Sequence, residues 1–346
     1  MKKKTVVGIV LAVCCTVVVC GCGGAGNRGK KNVAKQYCEE LFAMDTYMTF
    51  TAYGEQAKQA VKAAVTEVKR LDTLWSVSSE EGEIAKINET GQGEVSEDTL
   101  QVLEQAQQLY QDTDGAFDLT VYPLMDLWGF TSGNYQVPSK RSLKKTLALV
   151  GQNTVTVDSE SGEIRLAQGQ RLDLGAIAKG FTSNRVMELW KQEGVESGII
   201  SLGGNVQVIG KKVDGNLWNV GIQNPDKEQE GVLGVLGIED QAVITSGGYE
   251  RYFEQDGKTY HHILDPKTGY PAENGLVSVS VISEDGMLAD GLSTALFVMG
   301  KDRAVDYWRQ HKDRFDVVFV EEDGTISVTE GVEKNFQSDC KYQVLH

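Results

Sequence analysis

Ser197 to Ile209 reads SGIISLGGNVQVI, two short runs of strand-forming residues on either side of Gly203-Gly204-Asn205. Gly198–Leu202 and Val206–Ile209 are rich in Ile and Val, and the residues between them suit a hairpin turn. Further short strands are expected at Trp218–Ile222, Gly231–Ile238, Ala242–Thr245 and Val277–Ile282. Upstream, Leu41–Ala52 sets Met48, Phe50 and Ala52 against Thr49 and Thr51, the alternation of a half-buried first strand. Residues 147–166 also have strand character, notably at Thr154-Val155-Thr156-Val157. Helical spacing marks Gly54–Leu74, through Ala60, Ala64, Val68 and Leu71, and Asp98–Gln111, through Leu100, Leu103, Ala106 and Tyr110. Ile177–Gln192, Leu288–Met299 and Lys301–Gln310 complete the expected helices. Strands and helices interleave without a regular βαβ period, which favours an α+β fold over a doubly wound sheet. No GxGxxG follows a strand and no GxxxxGK[ST] occurs, so neither dinucleotide nor P-loop binding is indicated.

The first residues read as a targeting segment. Lys2, Lys3 and Lys4 precede an apolar run, Val6–Val19, too short for a comfortable membrane span. The run ends in Val19-Cys20-Gly21-Cys22 and resembles the lipobox of bacterial lipoproteins. That resemblance implies a signal peptide over residues 1–21, with cleavage before Cys22 and lipid on Cys22, palmitate among its chains. The Gly-rich residues that follow suit a flexible tether, expected over residues 22–38, with one two-lobed catalytic domain over residues 39–340. The protein is then expected on the outer face of the cell membrane, held by lipid alone. An ordinary secretory signal is the simpler alternative.

The net charge is −15, and loss of the three lysines takes it to −18. Such an acidic chain argues against nucleic acid as a partner, and any phosphate-bearing ligand needs local positive charge. Of six cysteines, only Cys38 and Cys340 remain beyond residue 22, and no CxxC or His/Cys spacing suggests zinc. A disulfide between these two would need close Cα atoms.

Four segments could carry chemistry. In Arg171-Leu172-Asp173-Leu174-Gly175-Ala176-Ile177-Ala178-Lys179-Gly180, small residues open a helix whose free N–H groups favour anions. Lys179 sits in its first turn, against the helix dipole, which suits an anionic ligand better than a structural role. In Ala289-Asp290-Gly291-Leu292-Ser293-Thr294, Asp290 and Thr294 share a helix face and suit Mg²⁺ as hard oxygen ligands, although an N-cap is the readier role for Asp290 taken alone. Asp114 to Phe130 offers acidic and aromatic residues for a flat ring, or simply a packed loop. Tyr260-His261-His262-Ile263-Leu264-Asp265-Pro266-Lys267-Thr268-Gly269 places two of the four histidines beside a Pro-containing turn.

Together, and in this order, these segments resemble the ApbE-type flavin transferases, the FAD:protein FMN transferases. Met44-Asp45-Thr46, Leu202-Gly203-Gly204-Asn205 and Thr245-Ser246-Gly247 add to the resemblance, which spans about Met44 to Gly300. It implies a T-fold-like, two-lobed single domain of mixed, mostly antiparallel sheets with packed helices. It also implies Mg²⁺-dependent transfer of the FMN half of FAD to a threonine or serine hydroxyl of another protein, with release of AMP. By resemblance, Asp290, Thr294 and the backbone oxygen of Ala176 bind Mg²⁺, and His262 is the catalytic base. FAD would contact Met44, Ser78, Ala116, Phe117, Asp118, Asp173, Lys179, Ile263 and Leu264. The chain departs from the family in carrying Asp45 where Gly is common, and Trp75-Ser76-Val77-Ser78 where an aromatic often follows the Ser; Trp75 is the substitute flavin-stacking ring. The acceptor would be an exported protein, such as a subunit of a membrane redox pump. The alternatives are an FAD pyrophosphatase, with water as acceptor, and a non-catalytic FAD-binding lipoprotein.

Overall fold

The computed structural model describes residues 34–226 and 231–346. The expected signal segment (1–21), Cys22 and residues 22–33 of the expected tether lie outside the described residues. Residues 36–38, expected in the tether, belong to the first strand, and the last strand runs beyond residue 340.

In chain order the strands are β1 (Gln36–Ala43), β2 (Thr46–Tyr53), β3 (Gln92–Glu94), β4 (Thr156–Val157), β5 (Glu163–Arg165), β6 (Ser197–Leu202), β7 (Asn205–Ile209), β8 (Trp218–Gln223) and β9 (Val232–Ile238). They continue as β10 (Ala242–Gly247), β11 (Tyr252–Gln255), β12 (Lys258–His261), β13 (Leu276–Ser283), β14 (Asp316–Glu321), β15 (Ile326–Thr329), β16 (Phe336–Gln337) and β17 (Tyr342–Leu345). The helices are α1 (Ala57–Trp75), α2 (Glu83–Thr90), α3 (Glu97–Asp112), α4 (Tyr122–Trp128), α5 (Lys140–Leu147), α6 (Ala178–Gln192), α7 (Gly286–Met299), α8 (Lys301–Arg309) and α9 (Glu330–Glu333).

A nine-stranded sheet in the order β1-β2-β6-β7-β10-β13-β14-β15-β17 organises the molecule. Its pairs are antiparallel except β15–β17. One face carries helices: α1 and α6 close over Met48, Phe50 and Ile200, while α7 and α3 cover Ile244, Val279 and Val281. The other face packs Val208, Val243, Ile282 and Val318 against the small sheet β16-β9-β8. The mixed α+β architecture expected from the interleaved pattern is therefore present.

The hairpin at residues 197–209 forms as read, with Leu202 paired to Asn205. Leu41–Ala52, expected as one strand, is instead the turn and arms of a second hairpin. Met44 and Asp45 take φ of 48° and 57° there. The turn lacks Gly and Pro, so it leaves no ordinary signal; an Asp tolerates the left-handed region, and Met44 is held by its N–H to Asp72 Oδ1 at 2.8 Å. In α3 the buried face is Thr99, Val102, Leu103, Ala106 and Leu109, so the expected Leu100–Tyr110 stripe is rotated. Cys38 and Cys340 are both free and exposed. They belong to β1 and to the lead into β17, at opposite edges of the sheet. Eight strand spacings of about 4.8 Å separate those edges, which rules out a disulfide.

Helices α6 and α7 touch backbone to backbone. A Cβ on Gly180 would lie 2.3 Å from Gly286 O and 2.5 Å from Asp290 Cβ. Gly180→Ala is therefore expected to cost about 2–3 kcal/mol of unfolding free energy by forcing the helices apart. Urea unfolding monitored by circular dichroism measures this, and a loss below the scatter of surface substitutions would show that the two helices separate freely.

Candidate functional site

Asp285, rather than Asp290, caps α7: its side chain accepts the Leu288 N–H at 3.1 Å. Asp290 lies one turn further in and is 4% exposed. Its Oδ2 accepts the Gly180 N–H at 2.8 Å, and its Oδ1 accepts Asn205 Nδ2–H at 2.9 Å. One carboxylate thus joins the start of α6, the β6–β7 hairpin and α7. No ion pair to it exists among the described residues. A buried carboxylate without a cationic partner is costly, so this arrangement suits a bound cation.

Gly180 is the third residue of α6, so its N–H is one of the first-turn donors without a carbonyl partner in the helix, and Asp290 supplies its acceptor. Ala176 lies in the turn just before α6. Thr294 lies one turn along α7 from Asp290, with its Oγ1 3.1 Å from Ser246 Oγ, which is also 2.8 Å from Ser293 Oγ. Carboxylate and hydroxyl, with the Ala176 carbonyl expected beside them, would make a hard-oxygen set of the kind Mg²⁺ takes while keeping waters or phosphate oxygens. Among the described residues no group of three or more His, Cys, Asp or Glu converges as a metal cage. The residues present therefore fit Mg²⁺ better than a soft metal.

Charge gathers around this set. Lys179, in the first turn of α6, reaches back to Gly175 O at 3.4 Å. Glu250, just after β10, was not singled out from the sequence and has no motif-like signal around it. Burial pushes Glu250 up to about 7, Lys179 opposes the rise, and the Asp290 charge adds to it.

His262 follows the last residue of β12. Its N–H and its ring Nδ1 both contact Arg251 O, at 3.0 Å and 3.1 Å. A carbonyl only accepts, so Nδ1 carries the proton and Nε2 of the neutral ring keeps a free lone pair. The side chain is half-buried by surface area but densely surrounded; burial first, then the charges of Arg251 and His261, push His262 down to about 3. Neutral imidazole with an open Nε2 is the form that accepts a proton. Arg251 also donates to Phe130 O at 2.8 Å, which fixes the end of the Asp114–Phe130 segment beside this histidine. His261 instead turns inward, its Nε2 3.1 Å from Ala272 O and its ring edge-on to Phe297. The following turn is locked by Gly269 N–H on Asp265 O at 2.8 Å and by Trp128 Nε1–H on Gly269 O at 2.8 Å.

The structure brings most of the expected residues to one end of the large sheet. Asp173 accepts the Gly175 N–H at 2.8 Å, and its own N–H bonds to Leu119 O at 2.8 Å, joining the α6 lead to the 116–119 segment. Met44 Sδ lies 3.8 Å from Thr182 Oγ1 on α6. Asp118 is buried with both oxygens engaged, Oδ1 by the Thr120 N–H at 2.7 Å and Oδ2 by the Gln152 N–H at 3.0 Å, so its carboxylate holds the loop while Ala116 and Phe117 pack beside it. Ile263 and Leu264 bury their side chains, and Ile263 O accepts the Ala272 N–H at 3.0 Å. Ser78 is exposed, and among the described residues its hydroxyl meets only Ser76, at 3.3 Å. Trp75 is unsuited to the stacking role expected of it: it is 6% exposed, its Nε1–H bonds to Thr99 Oγ1 at 2.9 Å, and it meets Phe181 edge-on. A hollow of about 360 Å³ opens between the segments, lined by Gly115, Asp118, Pro266 and Lys267. Another, of about 310 Å³, lies on the β16-β9-β8 sheet and none of the expected site residues lines it.

The fold and this junction define an α+β domain with a hard-oxygen, base-bearing site at one sheet end. The family model described as the ApbE family matches residues 44–319, and the chain belongs to that family. It is 37% identical over 283 residues to an FAD:protein FMN transferase of Klebsiella pneumoniae, covering 80% of this chain and 87% of that one. It is 30% identical over 337 residues to an FAD:protein FMN transferase of Treponema pallidum, covering 91% and 92%. Among solved structures, the ApbE protein of Thermotoga maritima superposes with a TM-score of 0.82 at 34% identity, covering 87% of this chain and 99% of that one. The flavin transferase ApbE of Vibrio cholerae gives 0.78 at 28%, with the same coverage.

Two groups of the site set opposite pH dependences of stability in metal-free protein. Glu250 is raised from 4.5 to about 7, so its contribution is fully present below 4.5 and is lost as pH rises through 7. His262 is lowered from 6.5 to about 3, so its contribution is present above 6.5 and is lost as pH falls towards 3. Between 4.5 and 6.5 the two oppose one another. Glu250→Gln should unmask a rise in stability with pH, and His262→Gln a fall, each at most about 1.4 kcal/mol per pH unit. Chemical unfolding in chelator at a series of pH values reads both slopes; parallel profiles for the two variants would contradict the assignment.

Proposed function

We propose that this chain is a Mg²⁺-dependent FAD:protein FMN transferase that moves FMN from FAD to a threonine or serine hydroxyl of an exported protein. The observation that carries this reading is the pairing of an unneutralised buried carboxylate, Asp290, with a neutral histidine, His262, at the same end of the sheet. The relatives' names supply the substrates, and the residues supply a matching chemistry.

In this reading the acceptor hydroxyl loses its proton to His262 Nε2 as its oxygen bonds to the FMN phosphorus. The bond from that phosphorus to the bridging oxygen breaks, and AMP leaves with the oxygen. Attack on a pyrophosphate is held back by charge, so neutralisation and positioning carry most of the rate. Lys179 meets the anion at the start of α6. Asp290, Thr294 and the Ala176 carbonyl would hold Mg²⁺, which when bound withdraws charge from phosphate oxygens. Met44, the 116–118 segment, Asp173 and the backbone of Ile263 and Leu264 would position FAD, with Ser78 the outlying member of the set.

Targeting is part of the same proposal: residues 1–21 as signal, lipid on Cys22, a tether to the first strand, and work on the outer face of the membrane. Among the described residues no helix is long and apolar enough to cross a membrane. A lipid anchor requires none, and an acceptor such as a redox-pump subunit would share that surface.

Incubation of the purified chain with FAD, Mg²⁺ and an exported acceptor should raise the acceptor mass by one FMN as AMP appears. Free FMN with AMP, and an unmodified acceptor, would instead establish a pyrophosphatase. His262→Ala should bind FAD as before but lose about 10²–10⁴-fold in transfer rate. Asp290→Ala should abolish both Mg²⁺-dependent activity and the Mg²⁺-induced rise in Tm; a retained Tm shift would place the cation elsewhere.

A further inference from the structure

Phe42 and Tyr47 are the most exposed large hydrophobics among the described residues, at 60% and 64%. They are partners in the β1–β2 register, and their rings meet edge to face at 5.1 Å. The hairpin tip beneath them is held rigidly. The Met44 N–H is bonded to Asp72, and the Gly203 N–H donates to Tyr47 O at 3.0 Å. Gly203 packs so tightly on Thr46 that a Cβ there would lie 2.3 Å from Thr46 Oγ1. Two residues beyond Gly203, Asn205 bonds to Asp290. The aromatic pair is thus tied by two hydrogen-bonded steps to the carboxylate at the centre of the site.

We propose that Phe42 and Tyr47 are the docking platform for the acceptor polypeptide, gripping an apolar side chain a fixed distance from the hydroxyl that is modified. This rests on the transferase reading above: the pair projects from the sheet face opposite α6 and α7, so the acceptor would cross the Met44-Asp45 tip to reach the site. Fixed, exposed aromatic pairs lose little entropy on binding and are favoured as interface anchors. Their surroundings decide the kind of partner. Glu40 and Asp45 are exposed beside the pair, Glu40 on the same strand face as Phe42. These charges repel an anionic bilayer and suit a peptide with a basic residue next to its apolar anchor.

The test uses the full chain with FAD, Mg²⁺ and a randomised peptide library carrying one central threonine, with flavinylated products read by mass spectrometry. The wild type should enrich an apolar residue at one offset from the threonine. The double variant Phe42→Ala, Tyr47→Ala should lose that enrichment and raise the apparent KM for the best peptide about tenfold, with kcat and FAD affinity unchanged. Val213→Ala with Val232→Ala, exposed elsewhere, should change neither. If peptides are not modified but an exported acceptor protein is, the same KM comparison is made on that protein. Equal KM and equal enrichment in wild type and double variant would overturn the docking role, as would an unchanged KM with loss of binding to phosphatidylglycerol vesicles. A wild type that cleaves FAD but modifies neither peptide nor protein would overturn the transferase reading itself.

Discussion

The Asp290 carboxylate is the constraint on which the rest of the site depends. It accepts one N–H from the start of α6 and one from the β6–β7 hairpin while sitting inside α7. Three elements distant in sequence are thereby brought to one point. The contact between α6 and α7 is close only because Gly180 and Gly286 carry no side chains there. The Gly180 amide, a first-turn donor without an acceptor in its own helix, is satisfied by the carboxylate and fixes it in place. In the proposed reading, the carboxylate anchored by this hydrogen bond is also the one that would hold the cation. Removing the carboxylate would also leave the Gly180 N–H and the Asn205 amide without their acceptor, so stability and function are coupled at this residue.

Electrostatics divides the labour across the sheet end. The chain is strongly acidic overall, which opposes an anionic substrate at long range. Lys179 supplies local positive charge, and a cation at Asp290 would add to it. His262 is kept neutral by burial and by neighbouring positive charge, and Arg251 O fixes its tautomer. Glu250 lies between these regions. Its raised pKa is the counterpart of the lowered one on His262.

Much of the fold was legible because its helices and inner strands follow their periodicities. The helix over residues 178–192 and the hairpin over residues 197–209 differ from expectation only at their ends. Features governed by single backbone conformations were not legible. The Met44-Asp45 turn lacks the usual turn residues, and α2, α4 and α5 are too short to show clear spacing. In the site, Asp290 and His262 were legible through the order of segments that resembles the flavin transferases; taken alone, a helix cap and a strand-end cap were the readier readings. Glu250 did not, since its importance comes from what packs around it. Trp75 shows the converse: an aromatic at a plausible position is buried for packing, with its indole N–H committed to Thr99.

The most direct measurement is the position of a metal in crystals of the chain grown with FAD and Mn²⁺, which takes the place of Mg²⁺ and scatters anomalously. A single strong anomalous peak within about 2.0–2.3 Å of an Asp290 oxygen, Thr294 Oγ1 and the Ala176 carbonyl is the predicted result. A peak bound by Glu250, or lying away from all three oxygens, would contradict the account.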